Sequence, residues 1–109
     1  MPYVKVAEVD EIAVGQGTLI ERAGVAIAVF NAGAGQFYAT SPTCPHEDGP
    51  LAEGWLEGDA VICPWHGSRF NVKTGSVMTP PAREGVKSFP VRVTGDDVEI
   101  DLQSGTSSQ

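Results

Sequence analysis

The sequence predicts an all-β fold, an antiparallel β sandwich or barrel in a single domain. Two features lead to it. Thirteen glycines and eight prolines break up 109 residues, which favours turns over long helices. Between those breaks lie short runs rich in β-branched and aromatic residues, the composition of strands. Residues 3–7 open with such a run. Residues 9–13 are expected to make one helical turn, with Asp10 as its cap. Gly15-Gln-Gly17 is a turn, and residues 18–22 return as a strand. Residues 24–31 (GVAIAVFN) are almost continuously apolar, as in a buried strand. A glycine turn at 32–35 leads to the hairpin partner at 36–40. Further strands are expected at 60–62, 69–72, 86–89, 91–94 and 98–102. Gly95-Asp96-Asp97 makes the turn between the last two. Residues 104–109 are small and polar and are expected to fray.

One stretch stands apart. Residues 41–83 hold six of the eight prolines and every cysteine and histidine in the chain. They read as a subdomain of the single 1–109 domain, inserted into the β framework.

Composition narrows the function. The formal net charge is −7, the wrong sign for nucleic-acid binding. It suits either solubility or docking to a basic protein surface. No run of about 18 apolar residues is present, so no membrane span is expected. No secretory signal is visible, and a cytoplasmic location is the default expectation. Two cysteines are too few for a secreted disulfide scaffold.

The chemistry sits in two short elements. Cys44-Pro-His46 is C-x-H, Cys63-Pro-Trp-His66 is C-x-x-H, and sixteen residues separate His46 from Cys63. Each supplies one thiolate and one imidazole. Brought together they give an S₂N₂ donor set, which suits zinc or an iron–sulfur centre.

The spacing and flanks decide between these by resemblance. The pair resembles the Rieske signature, and the likeness continues through Cys63-Pro-Trp-His-Gly-Ser-Arg-Phe-Asn71 and Thr74-Gly75. The connection Leu51-Ala-Glu-Gly-Trp-Leu-Glu-Gly-Asp59 also matches the family. The resemblance implies one [2Fe–2S] cluster per chain. Cys44 and Cys63 would bind one iron and His46 and His66 the other, through Nδ1. Two ferric ions, two sulfides and two thiolates sum to zero charge, whereas four thiolates would leave −2. Reduction is therefore easier than in plant-type ferredoxins. Rieske potentials span roughly −150 to +300 mV, against about −400 mV for the plant type.

Within that range a low potential is expected. High-potential relatives carry a disulfide bracing the site, and Gly49 and Trp65 occupy the corresponding positions here. Of the two hydroxyl donors those relatives place near sulfur, Ser68 keeps one and Phe70 has lost the other. Glu47, Asp48, Glu53, Glu57 and Asp59 add negative charge. Gly49, Gly67 and Gly75 are candidates for tight turns whose N–H groups point at sulfur. Pro80-Pro81 resembles the family's third loop, which covers the cluster. Trp65 is a candidate for shielding it or for a docking patch with Pro45 and Pro64.

The pattern is most similar to ferredoxin components of bacterial aromatic-ring-hydroxylating dioxygenases of the biphenyl, naphthalene and carbazole type. The chain is too short for the mononuclear iron domain of an oxygenase, so it is expected to be an electron carrier and not an enzyme. The resemblance implies two partners, an NAD(P)H-dependent flavoprotein reductase and the Rieske centre of a terminal oxygenase. No small-molecule substrate, nucleic acid or membrane is expected. The alternatives are a small redox subunit such as that of nitrite reductase, a Rieske subunit of a membrane-associated complex, and a zinc-stabilised interaction module.

Overall fold

The structure is a computed structural model and describes residues 3–22, 24–33, 35–42, 51–64, 67–79, 86–101 and 106–107. Its strands fall into three antiparallel sheets. In the first, β1 (Tyr3–Glu8) and β10 (Val91–Thr94) flank β11 (Asp97–Asp101). The turn between β10 and β11 is the expected one, with Gly95 at φ +60°.

The second sheet is the backbone of the molecule. Its order is β12 (Thr106–Ser107), β9 (Lys87–Phe89), β4 (Gln36–Thr40), β3 (Val25–Gly33) and β2 (Gly17–Arg22). The third sheet runs β5 (Trp55–Glu57), β6 (Ala60–Ile62), β7 (Arg69–Asn71) and β8 (Val77–Thr79). All of β5–β8 lies in sequence between β4 and β9. Those two strands pair with each other through Ala39 with Phe89 and Thr40 with Ser88. The chain therefore leaves the framework and returns to it at one place, which makes the third sheet an insertion.

Strand β3 explains why residues 24–31 read as continuously apolar. Successive side chains of a strand point to opposite faces. Ile27 and Val29 enter one core with Val6, Phe37, Val98 and Ile100. Ala28 and Phe30 enter a second core with Leu51, Val61, Phe70 and Val86. Both faces are covered, so neither can be polar. Burying each large side chain contributes about 2 kcal/mol. Asn31 closes the strand. Its amide nitrogen donates to the Ile12 carbonyl at 2.7 Å, and its amide oxygen accepts from the Gly33 N–H at 2.8 Å.

Four expectations change. The helical turn is a short 3₁₀ turn, Val9–Glu11. Its entry is held by Glu11, whose carboxylate accepts from the Glu8 N–H at 2.7 Å, and not by Asp10. Thr106 and Ser107, inside the tail expected to fray, pair with Ser88 and Lys87, where β9 leaves an open ladder edge. The connection at 51–59 contains a 3₁₀ turn, Leu51–Glu53, and the strand β5. Strand β8 was likewise not expected from the sequence. It pairs with β7, Arg69 facing Thr79 and Phe70 facing Val77.

Candidate metal centre

Cys63 directly follows β6, and the ladder between β6 and β7 continues through it. Ile62 faces Arg69 in register. One step further, the Cys63 N–H donates to the Ser68 carbonyl at 2.9 Å, and the Gly67 N–H donates back to the Cys63 carbonyl at 3.0 Å. The hairpin tip is thus closed at its base. Gly67 holds φ +77°, a backbone that side-chain-bearing residues adopt only at a cost. Its turn role agrees with expectation. Its N–H, however, is directed to a carbonyl and not toward sulfur.

The Cys63 side chain is buried, 2% exposed, with a free thiol. It belongs to the second core together with Leu51, Phe70, Val72 and Val86. Ser68 and Phe70, on the returning side of the hairpin, are fully buried. Leu51 follows the segment carrying Cys44 and His46, and Val86 follows the one carrying Pro80 and Pro81. The roots of all three expected loops therefore meet in one core cluster.

Each root is also tied by hydrogen bonds. The Leu51 N–H donates to the Pro42 carbonyl at 2.9 Å. The Val86 N–H donates to the Gly75 carbonyl at 2.7 Å, and the Gly75 N–H donates to the Asn71 carbonyl at 2.7 Å. Gly75 has φ +83°, and a Cβ there would overlap the Val86 carbonyl oxygen. Only glycine allows this approach. Its N–H is likewise spent on a backbone carbonyl. Cys44, His46, Gly49, Trp65, His66, Pro80 and Pro81 lie outside the described residues, as do Glu47 and Asp48.

The charged surroundings differ from a simple acidic halo. Glu57 is exposed, and its carboxylate accepts from the Trp55 indole N–H at 3.3 Å and from the Arg69 guanidinium at 3.1 Å. Those two donors, the indole first, hold the Glu57 carboxyl below the usual carboxylate range. Asp59 pairs with Lys73 at 3.5 Å. Two of the acidic residues expected to depress the potential are therefore partly compensated by cations. Sequence reasoning missed Trp55 and Arg69 as a linked pair. The signal was there: Gly58-Asp59 between WLE and AVI is a two-residue hairpin turn, and Gly58 sits at φ +60°.

Among the described residues no group of three or more histidine, cysteine or acidic side chains could hold a metal. Of the four expected ligands, Cys63 is the one among the described residues. The donor chemistry fits an iron–sulfur cluster. A free, buried thiol stands where three loop roots converge, its backbone already fixed by two hydrogen bonds.

Comparison with known proteins agrees. A family model described as the Rieske [2Fe-2S] domain matches residues 2–90. The ferredoxin component of biphenyl 2,3-dioxygenase from Rhodococcus jostii (strain RHA1) is 38% identical over 108 residues, 99% of this chain and 100% of that protein. The 3-phenylpropionate/cinnamic acid dioxygenase ferredoxin subunit of Escherichia coli (strain K12) is 42% identical over 98 residues, 89% of this chain and 88% of that protein. Among solved structures, the complex of reduced oxygenase and oxidized ferredoxin in carbazole 1,9a-dioxygenase contains a similar chain. It superposes with a TM-score of 0.81 at 36% identity, covering 91% of this chain and 92% of that one.

Proposed function

This chain belongs to the Rieske [2Fe–2S] domain family, and we propose that within it the protein is the one-electron carrier of an aromatic-ring-hydroxylating dioxygenase system. Cys44 and Cys63 would hold one iron as thiolates, and His46 and His66 the other as neutral imidazoles. When bound, the cluster supplies reversible one-electron transfer with no open position for substrate.

The rest of the work falls to the chain. The bonds between Cys63, Gly67 and Ser68 fix the second loop at its base. Phe70, Val72, Val86 and Leu51 pack around Cys63 and exclude water from its inner side. Exclusion of water matters because the dielectric around a cluster tunes its potential. The convergence of three loop roots on Cys63 is the observation that carries this reading.

Electrons would arrive from an NAD(P)H-dependent flavoprotein reductase and leave to the Rieske centre of a terminal oxygenase. Both encounters are brief, as suits contacts at the small end of interface sizes. A cytoplasmic location is part of the proposal; separately, among the described residues no helix is long and apolar enough to cross a membrane.

The test is the visible absorption and EPR spectrum of purified protein before and after dithionite. A red-brown protein that bleaches and then shows the low-average-g Rieske signal is expected. A colourless, EPR-silent protein containing zinc would overturn the proposal.

A further inference from the structure

We propose that the outer edge of β2, with the groove beside it, takes up an extended basic segment of a protein partner as an added strand. The proposal rests on the electron-carrier reading only for the identity of that partner. Strand β2 ends the five-stranded sheet and pairs with β3 along all of Gly17–Arg22. Just before it, Gln16 bridges to Trp55. Beyond that bridge, among the described residues, no strand pairs with the outer edge. An open edge of this kind is a template for strand addition.

A groove of about 720 Å³ lies against this edge. Residues 16–19 line it together with residues 52–55, Pro42 and Ala26 of β3. Alternate residues of a strand face opposite ways. A groove touching four in succession, with Ala26 of β3 beside them, meets the backbone of β2 and the sheet face next to it. Two large apolar side chains flank it half-exposed, Leu19 at 58% and Trp55 at 44%.

Charge selects the occupant. Among the described residues, Glu53 is the charged residue of the lining, and no lysine or arginine lines it. Glu21 lies two residues from Leu19, on the same face of β2, opposite Ala26 in register. The chain as a whole carries −7. A second copy would bring two acidic grooves together. A segment alternating apolar residues with lysine or arginine would instead place its apolar side chains between Leu19 and Trp55 and its cations at Glu21 and Glu53. Its backbone would add the ladder.

The test uses ¹⁵N-labelled full-length holoprotein and two eight-residue probe peptides, one alternating valine with lysine and one alternating valine with glutamate. The valine–lysine peptide is expected to shift the amides of residues 17–22 and Ala26 and the Trp55 indole N–H. It should bind about tenfold more tightly than the glutamate peptide, and more weakly in high salt. Leu19→Lys should abolish these shifts, and Glu53→Gln should weaken binding. The proposal is overturned if the two peptides bind equally, if shifts fall elsewhere or are absent, or if the same amides shift with protein concentration alone, which would mark a second copy as the occupant. An EPR spectrum of each sample separates the two readings: a missing Rieske signal counts against the carrier function, whereas the amide shifts report on the edge whether or not that signal is present.

Discussion

Ser68 is the residue whose role is most directly measurable. It is fully buried, and its carbonyl already accepts the Cys63 N–H. A hydroxyl held there and donating to cluster sulfur would favour the reduced, more negative state. One such bond of about 1 kcal/mol corresponds to roughly 40 mV for a single electron. Ser68→Ala is therefore expected to lower the reduction potential by about that amount in redox titration. An unchanged potential would place the hydroxyl elsewhere. Glu57 offers a pH readout. Its carboxyl is held below the ordinary range by the Trp55 indole and then by Arg69. The interaction is thus present at pH values above the ordinary carboxylate range and is lost as pH falls through the lowered value. The Trp55 indole N–H resonance should titrate with a midpoint below the usual carboxylate value, and Glu57→Gln should remove that transition. At this scale the sequence showed Cys63 plainly, because cysteine and histidine are few and cluster in two motifs. It did not show Glu57 as a bridge between two donors, because that depends on which strands pair.

Among the elements, the segment from β7 to β9 depends on one glycine. Gly75 combines a positive φ with an approach to Val86 that leaves no room for a methyl group. Gly75→Ala should destabilise the protein by roughly 3 kcal/mol, from backbone strain and forced displacement of Val86. Thermal unfolding would show the drop, and loss of visible absorbance at lower temperature should accompany it. Gly67→Ala meets no neighbouring atom among the described residues and incurs the φ cost, so it should be the milder of the two. The long strands were legible because their apolar runs and glycine turns are strong local signals. The three-residue strands β5 and β8 were not. Each exists because a neighbouring strand supplies the ladder; the Gly58-Asp59 turn was the local signal for β5, and β8 has no such two-residue turn before it.

For the whole molecule, the central fact is that one strand serves two cores. Strand β3 sends Ile27 and Val29 to one side and Ala28 and Phe30 to the other. Damage to the core remote from Cys63 should therefore be felt at the site. Ile100 is fully buried in that remote core. Ile100→Ala is expected to cost about 3 kcal/mol. Far-UV circular dichroism and visible absorbance should still fall together in one transition. Two separated transitions would show that the insertion unfolds independently. The all-β class was readable from composition and turn residues. The partition into two cores was not, because a continuous apolar run shows that both faces are covered without showing what covers them.

The closed roots at Pro42–Leu51, Cys63–Ser68 and Gly75–Val86 also separate what holds the loops from what the loops contain. Stem residues bond through backbone atoms, which every residue but proline carries in full, so loop content can be exchanged without rewriting the stems. Residues 43–50 and 64–66 are in this sense interchangeable cassettes. Transplanting those of a higher-potential relative onto these stems is a direct route to retuning the carrier, with the scaffold and its β2 edge left intact.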